Sequence, residues 1–419
     1  MTDHNPASTP ATTSRAADAA RAQMVAELRA RSIALSQPVQ EAFARVPRHI
    51  FVPEVGPSAA YRDEALVIKC GPDGIPVSSS SQPAMMAIML DQLELGPGHR
   101  VLEIGTGSGY NAALMSMITA PRGKVVSIDI DRQLVDRARS NLAAAGFPAV
   151  EVRCADGGYG DPAGAPFDRI IVTAGVWDIA PAWLEQLTAE GRLVLPLSVR
   201  GVELSVALRR IADSWHSTSA CRCGFVRMLG AFAGPQTALR LGVDDPVVAV
   251  VADGGTADVT AVQAALSGPV TDVPTGLDVI DQGELGDLDL WLTITEPRLE
   301  RLTVLNASAG SVRAPQLLPL GGLASYATDA DRLGIATLLP GSGSGPAVAV
   351  GVRGYGPGGS ALAEYLAARA RSWDKFGRPG AGDIELSVVP AGTEVSLPTG
   401  MVIVNRPSAT IGVGWPARG

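Results

Sequence analysis

Histidine and cysteine are scarce in this chain, with four of each among 419 residues. Cys70, Cys154, Cys221 and Cys223 are too few and too scattered for a disulfide framework. Cys221-x-Cys223 lacks zinc-knuckle spacing, and with only His4, His49, His99 and His216 available no metal site is expected. A basic surplus is also missing: the net charge is −8 and the pI is near 5.2. Without a basic patch to neutralise phosphates, a nucleic-acid partner is not expected. No apolar run approaches the roughly 18 residues that span a bilayer, and the Thr-, Ala- and Ser-rich N-terminal residues lack a signal-peptide core. The expectation is a cytoplasmic protein with no membrane partner. What the chain does have is a 46% hydrophobic composition, enough for two domains with cores of their own.

The most informative stretch is VLEIGTGSGY, Val101 to Tyr110. A strand's apolar residues run into an acid, Glu103, then a glycine-rich turn, and a helix follows at Asn111. Glycine lets a backbone turn sharply while a ligand presses against it. Dinucleotide folds use G-x-G-x-x-G and set a pyrophosphate at a helix N-terminus. Here the spacing is compressed to Gly105-x-Gly107-x-Gly109, which suits a ligand without phosphate, and S-adenosylmethionine is the commonest of these. A tight turn of no function remains the alternative.

The following elements favour the ligand. Lys124 to Ile128 reads as a second buried strand ending at Asp129. An acid there, about 20 residues past the glycine turn, is where nucleotide-binding sheets place the carboxylate that accepts ribose hydroxyls. The competing role, an acid at a helix N-terminus, fits Asp131 better, because Gln133 to Ala144 has helical spacing. A third strand, Val150 to Arg153, leads to Asp156-Gly157, where an acid beside a glycine could meet an adenine edge. A fourth, Phe167 to Thr173, ends at Ala174-Gly175. Candidate sites thus recur at strand carboxyl ends, as in open α/β sheets.

Residues 1–18 are polar and expected to be disordered. Helices are predicted over Ala19 to Arg31 and onward to about Ala44, followed by an extended segment, Val46 to Glu54. Alternating strands and helices from Val101 to Pro196 predict a mostly parallel sheet covered on both faces. Val202 to Arg209 and Gly224 to Phe232 read as closing antiparallel strands, and residues 19–234 form the first domain. Residues 240–419 read as a separate α+β domain, a candidate substrate-binding module. Its strand-like runs are Val247 to Val251, Leu288 to Ile294, Ala347 to Val352, Ile384 to Val389 and Met401 to Val404. Its helices are Thr256 to Leu266 and Ser360 to Trp373, the latter with Ser360 as N-cap. The intervening Gly354 to Gly359 turn could cradle an anion but lacks a following Lys-Ser/Thr, so a structural turn is preferred. Trp291, Trp373 and Trp415 read as core more readily than as a peptide surface.

Several segments together resemble the protein-L-isoaspartate O-methyltransferases: VPRHIFVP, AYRDEALVIK (Ala60 to Lys69), SQP (Ser81 to Pro83), VLEIGTGSGYNAA, ADGGYGDPAGAPFDRIIVTA and LEQLTAEGRLVLPL (Leu184 to Leu197). The resemblance covers about residues 20–232. It implies an α/β fold, a Rossmann-like seven-stranded class I methyltransferase domain, acting on a carboxylate of a peptide or protein. It implies that Ser81 contacts the reacting carboxylate and that Ser79 and Ser80 border the cofactor. It extends the cofactor set to Glu103, Gly105, Thr106 and Gly107, to Ser108, Gly109 and Tyr110, and to Asp129, Ile130, Asp156 and Gly157.

Departures lie near the family's peptide cleft. Ser78 to Ser81 is an unbroken serine run, Ala174-Gly175-Val176-Trp177 replaces an Ala-Ala-Pro run, and Phe225-Val226-Arg227 replaces F-V-P. Trp177 is expected beside the transfer site. The C-terminal segments LWLTITEP, GYGPGGSALAEYL and SWDKFGRP resemble actinobacterial methyltransferases encoded with lanthipeptide or graspetide precursors. That second resemblance implies methylation of an aspartate in a ribosomally made peptide, the ester then closing to a succinimide that is kept or opens to isoaspartate. Repair of isoaspartate in aged proteins is the alternative, and a non-catalytic peptide-binding scaffold a third. A carboxylate is already ionised at neutral pH, so methyl transfer to it needs position and partial desolvation rather than a general base. The sequence is silent on oligomeric state.

Overall fold

The computed structural model describes residues 10–31, 35–72, 74–235, 237–240, 247–251, 259–296, 299–306, 323–327, 334–341, 347–393 and 400–416. The chain divides into two compact units. The first comprises residues through Pro196 with Ser205–Arg210 and Cys223–Phe232, and the second Leu197–Leu204, Ile211–Arg222 and Ala233 onward. The division thus interleaves short segments around residues 197–232 rather than falling at one point near residue 234. Arg200 donates to the carbonyls of Thr293 (3.0 Å) and Leu299 (2.7 Å), and His216 pairs with Ser387, so these hairpin residues belong with the later chain.

The first unit opens with helices α1 (Pro10–Ala30), α2 (Gln37–Arg45), α3 (Arg48–Phe51) and α4 (Pro57–Ala60). The segment expected to be disordered over 1–18 is thus helical from Pro10, and residues 1–9 lie outside the described residues. Val46 to Glu54, expected to be extended, holds α3 between its two prolines, because Arg48 and Phe51 point into the interior one turn apart. Strands β1 (Leu66–Cys70) and β2 (Pro76–Ser80) form an antiparallel hairpin pairing Leu66 with Ser80 and Val67 with Ser79. Helix α5 (Pro83–Leu93) starts on Pro83, whose fixed φ suits a first helical turn.

Strand β3 (Arg100–Ile104), helix α6 (Tyr110–Thr119), strand β4 (Lys124–Asp129), helix α7 (Arg132–Ala144) and strand β5 (Glu151–Cys154) follow. Then come β6 (Phe167–Val172), α8 (Pro181–Glu185), β7 (Leu187–Val199), β8 (Val202–Ile211) and β9 (Ser214–Arg222). Within the first unit the strand order is β8-β7-β6-β3-β4-β5, with β7, β6, β3, β4 and β5 mutually parallel. Of the seven strands anticipated, β9 is assigned to the second unit. Four residues of β3 are buried, as expected of a parallel strand covered on both faces. The chain winds outward from β3 through β4 to β5 and then returns to β6, so the topological switch point lies between β3 and β6. Ligands of open α/β sheets bind beyond the carboxyl ends at that point. Gly224 to Phe232 is not a strand: its one ladder contact is a parallel bridge from Arg227 to Gly175.

The second unit contains the antiparallel sheet β10 (Thr237–Arg240), β11 (Val247–Val251), β13 (Leu299–Asn306), β14 (Leu323–Ala327), β15 (Gly334–Pro340), β16 (Val348–Tyr355) and β12 (Val270–Val279), in that order. It also holds α9 (Val259–Leu266), α10 (Gln282–Thr295) and the long helix Gly359–Lys375. Strands β17 (Glu385–Pro390), β18 (Val402–Asn405) and β19 (Ala409–Gly414) order as β18-β19-β17-β9. Leu288 to Ile294, expected as a strand, lies in α10. Asp281 caps that helix by accepting from the Glu284 amide (2.8 Å), and burial nearly all round it erased the amphipathic signal. The expected start of α9, residues 256–258, lies outside the described residues. Trp291 and Trp373 are buried in the core of this unit, and Trp415 packs against it. Ser360 is inside its helix rather than at the cap, which is Gly358.

Candidate active site

A cleft opens where the strand order reverses. Its floor is the glycine turn. Gly105 has φ +103°, and a Cβ there would sit 2.5 Å from Thr173 Oγ1; the Thr173 hydroxyl donates to the Gly105 carbonyl at 2.7 Å. Gly107, φ +52°, lies against the Ser79 carbonyl, 3.4 Å from where its Cβ would be. Gly109, φ +87°, instead packs on Ala138 and Leu142 of α7 and does not line the cleft. Its role is helix packing.

Asp129, at the end of β4, lines the cleft. Its Oδ2 accepts from the Gly107 amide and its Oδ1 from the Asp131 amide, each at 3.0 Å. Burial pushes the carboxyl up from its ordinary range, and each oxygen retains a lone pair for a ligand hydroxyl. Asp131 is the N-cap of α7, accepting from Gln133 (2.9 Å) and Leu134 (3.2 Å), and is ion-paired with Lys69 of β1. Ile130 beside it lines the cleft and is exposed.

Glu103 does not reach the cleft. Fully buried below it, the carboxylate accepts from Asn111 Nδ2 (2.8 Å) and Ser127 Oγ (2.5 Å), and Ser127 in turn meets Thr106 Oγ1 (2.7 Å). Desolvation raises its pKa to about 7. Asn111, which sequence reasoning passed over, does line the cleft, and its buried Oδ1 has no partner among the described residues. Thr106, Ser108 and Tyr110 complete this wall. Asp156 also fails to line the cleft; its two oxygens accept from the Gly158 and Ala231 amides (2.9 Å each). Gly157 reaches the cleft alone.

The serine run forms the opposite rim, with Ser78, Ser79, Ser80 and Ser81 all lining the cleft. What holds it is Arg48, a residue that sequence reasoning quoted but gave no role. Arg48 is fully buried and donates to the carbonyls of Arg62 (3.1 Å), Glu64 (3.3 Å), Ser80 (3.2 Å) and Ser81 (2.9 Å). Its guanidinium lies 5.8 Å from the Tyr110 ring centroid. Burial lowers its pKa, but an arginine remains charged. Asp63 fixes the next residues by accepting from Gln82 Nε2 (2.9 Å) and the Ala84 amide (2.8 Å). Ala174 and the Phe225 to Leu229 segment close the cleft. Trp177, expected here, is half-buried elsewhere in the unit and does not line it.

These residues suit the anticipated sulfonium nucleoside: a floor where side chains would clash, a carboxylate with spare lone pairs, and an unpartnered buried acceptor on Asn111. Among the described residues no cluster of His, Cys, Asp or Glu is arranged to hold a metal ion, and no helix is long and apolar enough to cross a membrane.

Comparison with known proteins identifies relatives of the first unit. A family model described as protein-L-isoaspartate(D-aspartate) O-methyltransferase matches residues 19–231. The protein-L-isoaspartate O-methyltransferase of Methanopyrus kandleri is 41% identical over 222 residues, 52% of this chain and 96% of that protein. That of Roseiflexus sp. is 42% identical over 196 residues, 46% of this chain and 85% of the relative. A solved protein-L-isoaspartate O-methyltransferase aligns with TM-score 0.48 at 22% identity, covering 88% of this chain and 96% of its own. The chain belongs to the protein-L-isoaspartate(D-aspartate) O-methyltransferase family.

Proposed function

We propose that this protein, an S-adenosylmethionine-dependent protein carboxyl O-methyltransferase by family, methylates isoaspartyl carboxylates of proteins or peptides. The observation that carries the reading is one cleft shared by the Gly105–Asp129 floor and the Ser78–Ser81 rim. The similar proteins favour isoaspartate over an aspartate of a ribosomally made precursor peptide.

Bound S-adenosylmethionine supplies an activated methyl group. Asp129 accepts the ribose hydroxyls, and the glycine turn lets the ligand approach the backbone. Ser81 donates a hydrogen bond to one oxygen of the substrate carboxylate, leaving the other to attack. Arg48 and Asp63 hold that serine in place through the backbone, and the apolar residues Phe225, Val226 and Met228 exclude water.

Ser81→Ala is expected to lower kcat about 10- to 100-fold, the size of a lost hydrogen bond to a charged group, with cofactor affinity within about twofold. Equal loss of turnover and calorimetric cofactor binding rejects this role for Ser81. A second reading, methylation of a constrained aspartyl peptide, is favoured by Arg227, which lines the cleft where the chain departs from the family pattern. Parallel assays with an isoaspartyl peptide and a cyclic aspartyl peptide separate them: methylation of the isoaspartyl peptide alone supports the first, of the cyclic peptide alone the second.

A further inference from the structure

We propose that Arg227 is the counter-ion that captures the substrate carboxylate and so sets the preference of the cleft for an acidic side chain. This rests on the methyltransferase reading and assigns the group that binds its substrate. Among the described residues lining the cleft, Arg227 is the only Lys, Arg or His. Its neighbours in the chain are pinned on both sides: the Gly175 amide donates to the Val226 carbonyl (2.8 Å) and the Met228 amide to the Gly175 carbonyl (2.9 Å). The backbone that carries Arg227 is therefore fixed against Gly175 rather than borne on a free loop.

Its surroundings strengthen its pull on an anion. Phe225, Val226 and Met228 line the same stretch of wall, and a guanidinium against an apolar wall attracts an anion more strongly than one in water. Desolvation is felt at the side chain, whose pKa burial lowers. The cleft's acids, Asp129 and Asp131, lie at the end of β4, and Lys69 already pairs with Asp131. An anionic substrate is thus repelled from the β4 end and drawn to the side where Arg227 is bridged to Gly175, which follows β6. Five donors in a planar fork allow the guanidinium to add a carboxylate to the contacts it already makes. Once methylated, the group is a neutral ester and the attraction ends, which favours product release.

The test is peptide binding to the full chain saturated with S-adenosylhomocysteine, using an isoaspartyl peptide and the same peptide with that carboxylate replaced by a carboxamide. Wild type is expected to bind the acid about 10- to 100-fold more tightly than the amide. R227Q should bind both at the amide level, with KM raised by the same factor, kcat within about threefold and S-adenosylhomocysteine binding unchanged. R227K should recover part of the preference. An R227Q chain that methylates with wild-type KM overturns the proposal alone, whereas wild type that binds the cofactor but neither binds nor methylates the peptide overturns the underlying reading with it. Should R227Q not fold, the salt dependence of wild type decides, since charge capture requires acid-peptide KM to rise with ionic strength while amide binding stays level.

Discussion

Gly105–Gly109 and Gly354–Gly359 each join the end of a strand to the start of a helix, in the first and second units respectively, and they are built differently: the first lines a cleft. In the first, Gly105 and Gly107 have positive φ, and the Gly107 amide is turned to Asp129. In the second, the glycines fill each other's space: a Cβ on Gly354 would lie 2.0 Å from the Gly359 carbonyl oxygen, and one on Gly359 2.8 Å from the Gly354 carbonyl carbon. Two turns of like composition therefore serve different ends. One leaves room for a ligand against the backbone, and the other uses the missing side chains to bring a strand and helix into contact.

That contrast can be broken by substitution. The largest effect on folding is expected from Gly354→Ala, because the clash is with backbone that cannot rotate away; about 3 kcal/mol of destabilisation would lower Tm by about 6–12 °C. Calorimetric cofactor affinity should stay within about twofold, and a matching loss of affinity would show that the turn is not purely structural. Gly105→Ala should do the reverse, weakening cofactor binding about tenfold or more by backbone strain of about 1–3 kcal/mol and displacement of Thr173. Unchanged affinity would mean the ligand does not approach that turn. Asp129→Asn, which keeps the shape but not the charge, should cost about 1–2 kcal/mol of cofactor affinity, read by titration.

The last effect, at Glu103, is read against pH. A carboxyl raised to about 7 in the folded chain from an ordinary 4.5 keeps its proton where the unfolded chain has released it. Its contribution is fully favourable below pH 4.5 and is lost as pH rises through 7. Glu103→Gln should flatten that part of the stability-against-pH curve, and an unaltered slope in thermal unfolding would contradict the assignment.

Much of the first unit was legible because its signals are local. The buried runs of β3, β4 and β6 are nearly continuous apolar segments, Asp131 precedes a helical repeat, and the compressed glycine spacing is visible without any fold. Residues that act over distance were not. Arg48 looks like a surface arginine until α3 turns it beneath Ser80 and Ser81, carbonyls 32 and 33 positions later. Asp156 has the same local context as a ligand-binding acid, but it is tied to an amide 75 residues away and does not line the cleft. In the second unit α10 read as a strand because a helix buried on nearly every side has no periodic face.

The order of residues by itself determined which backbone segments can pair and where glycine must bend the chain, since both follow from side-chain period and from which φ a residue tolerates. Only the tertiary structure decided which carboxylates face the cleft and which are held beneath or beside it, because position in the packed chain and desolvation are properties of the neighbourhood rather than of any local motif.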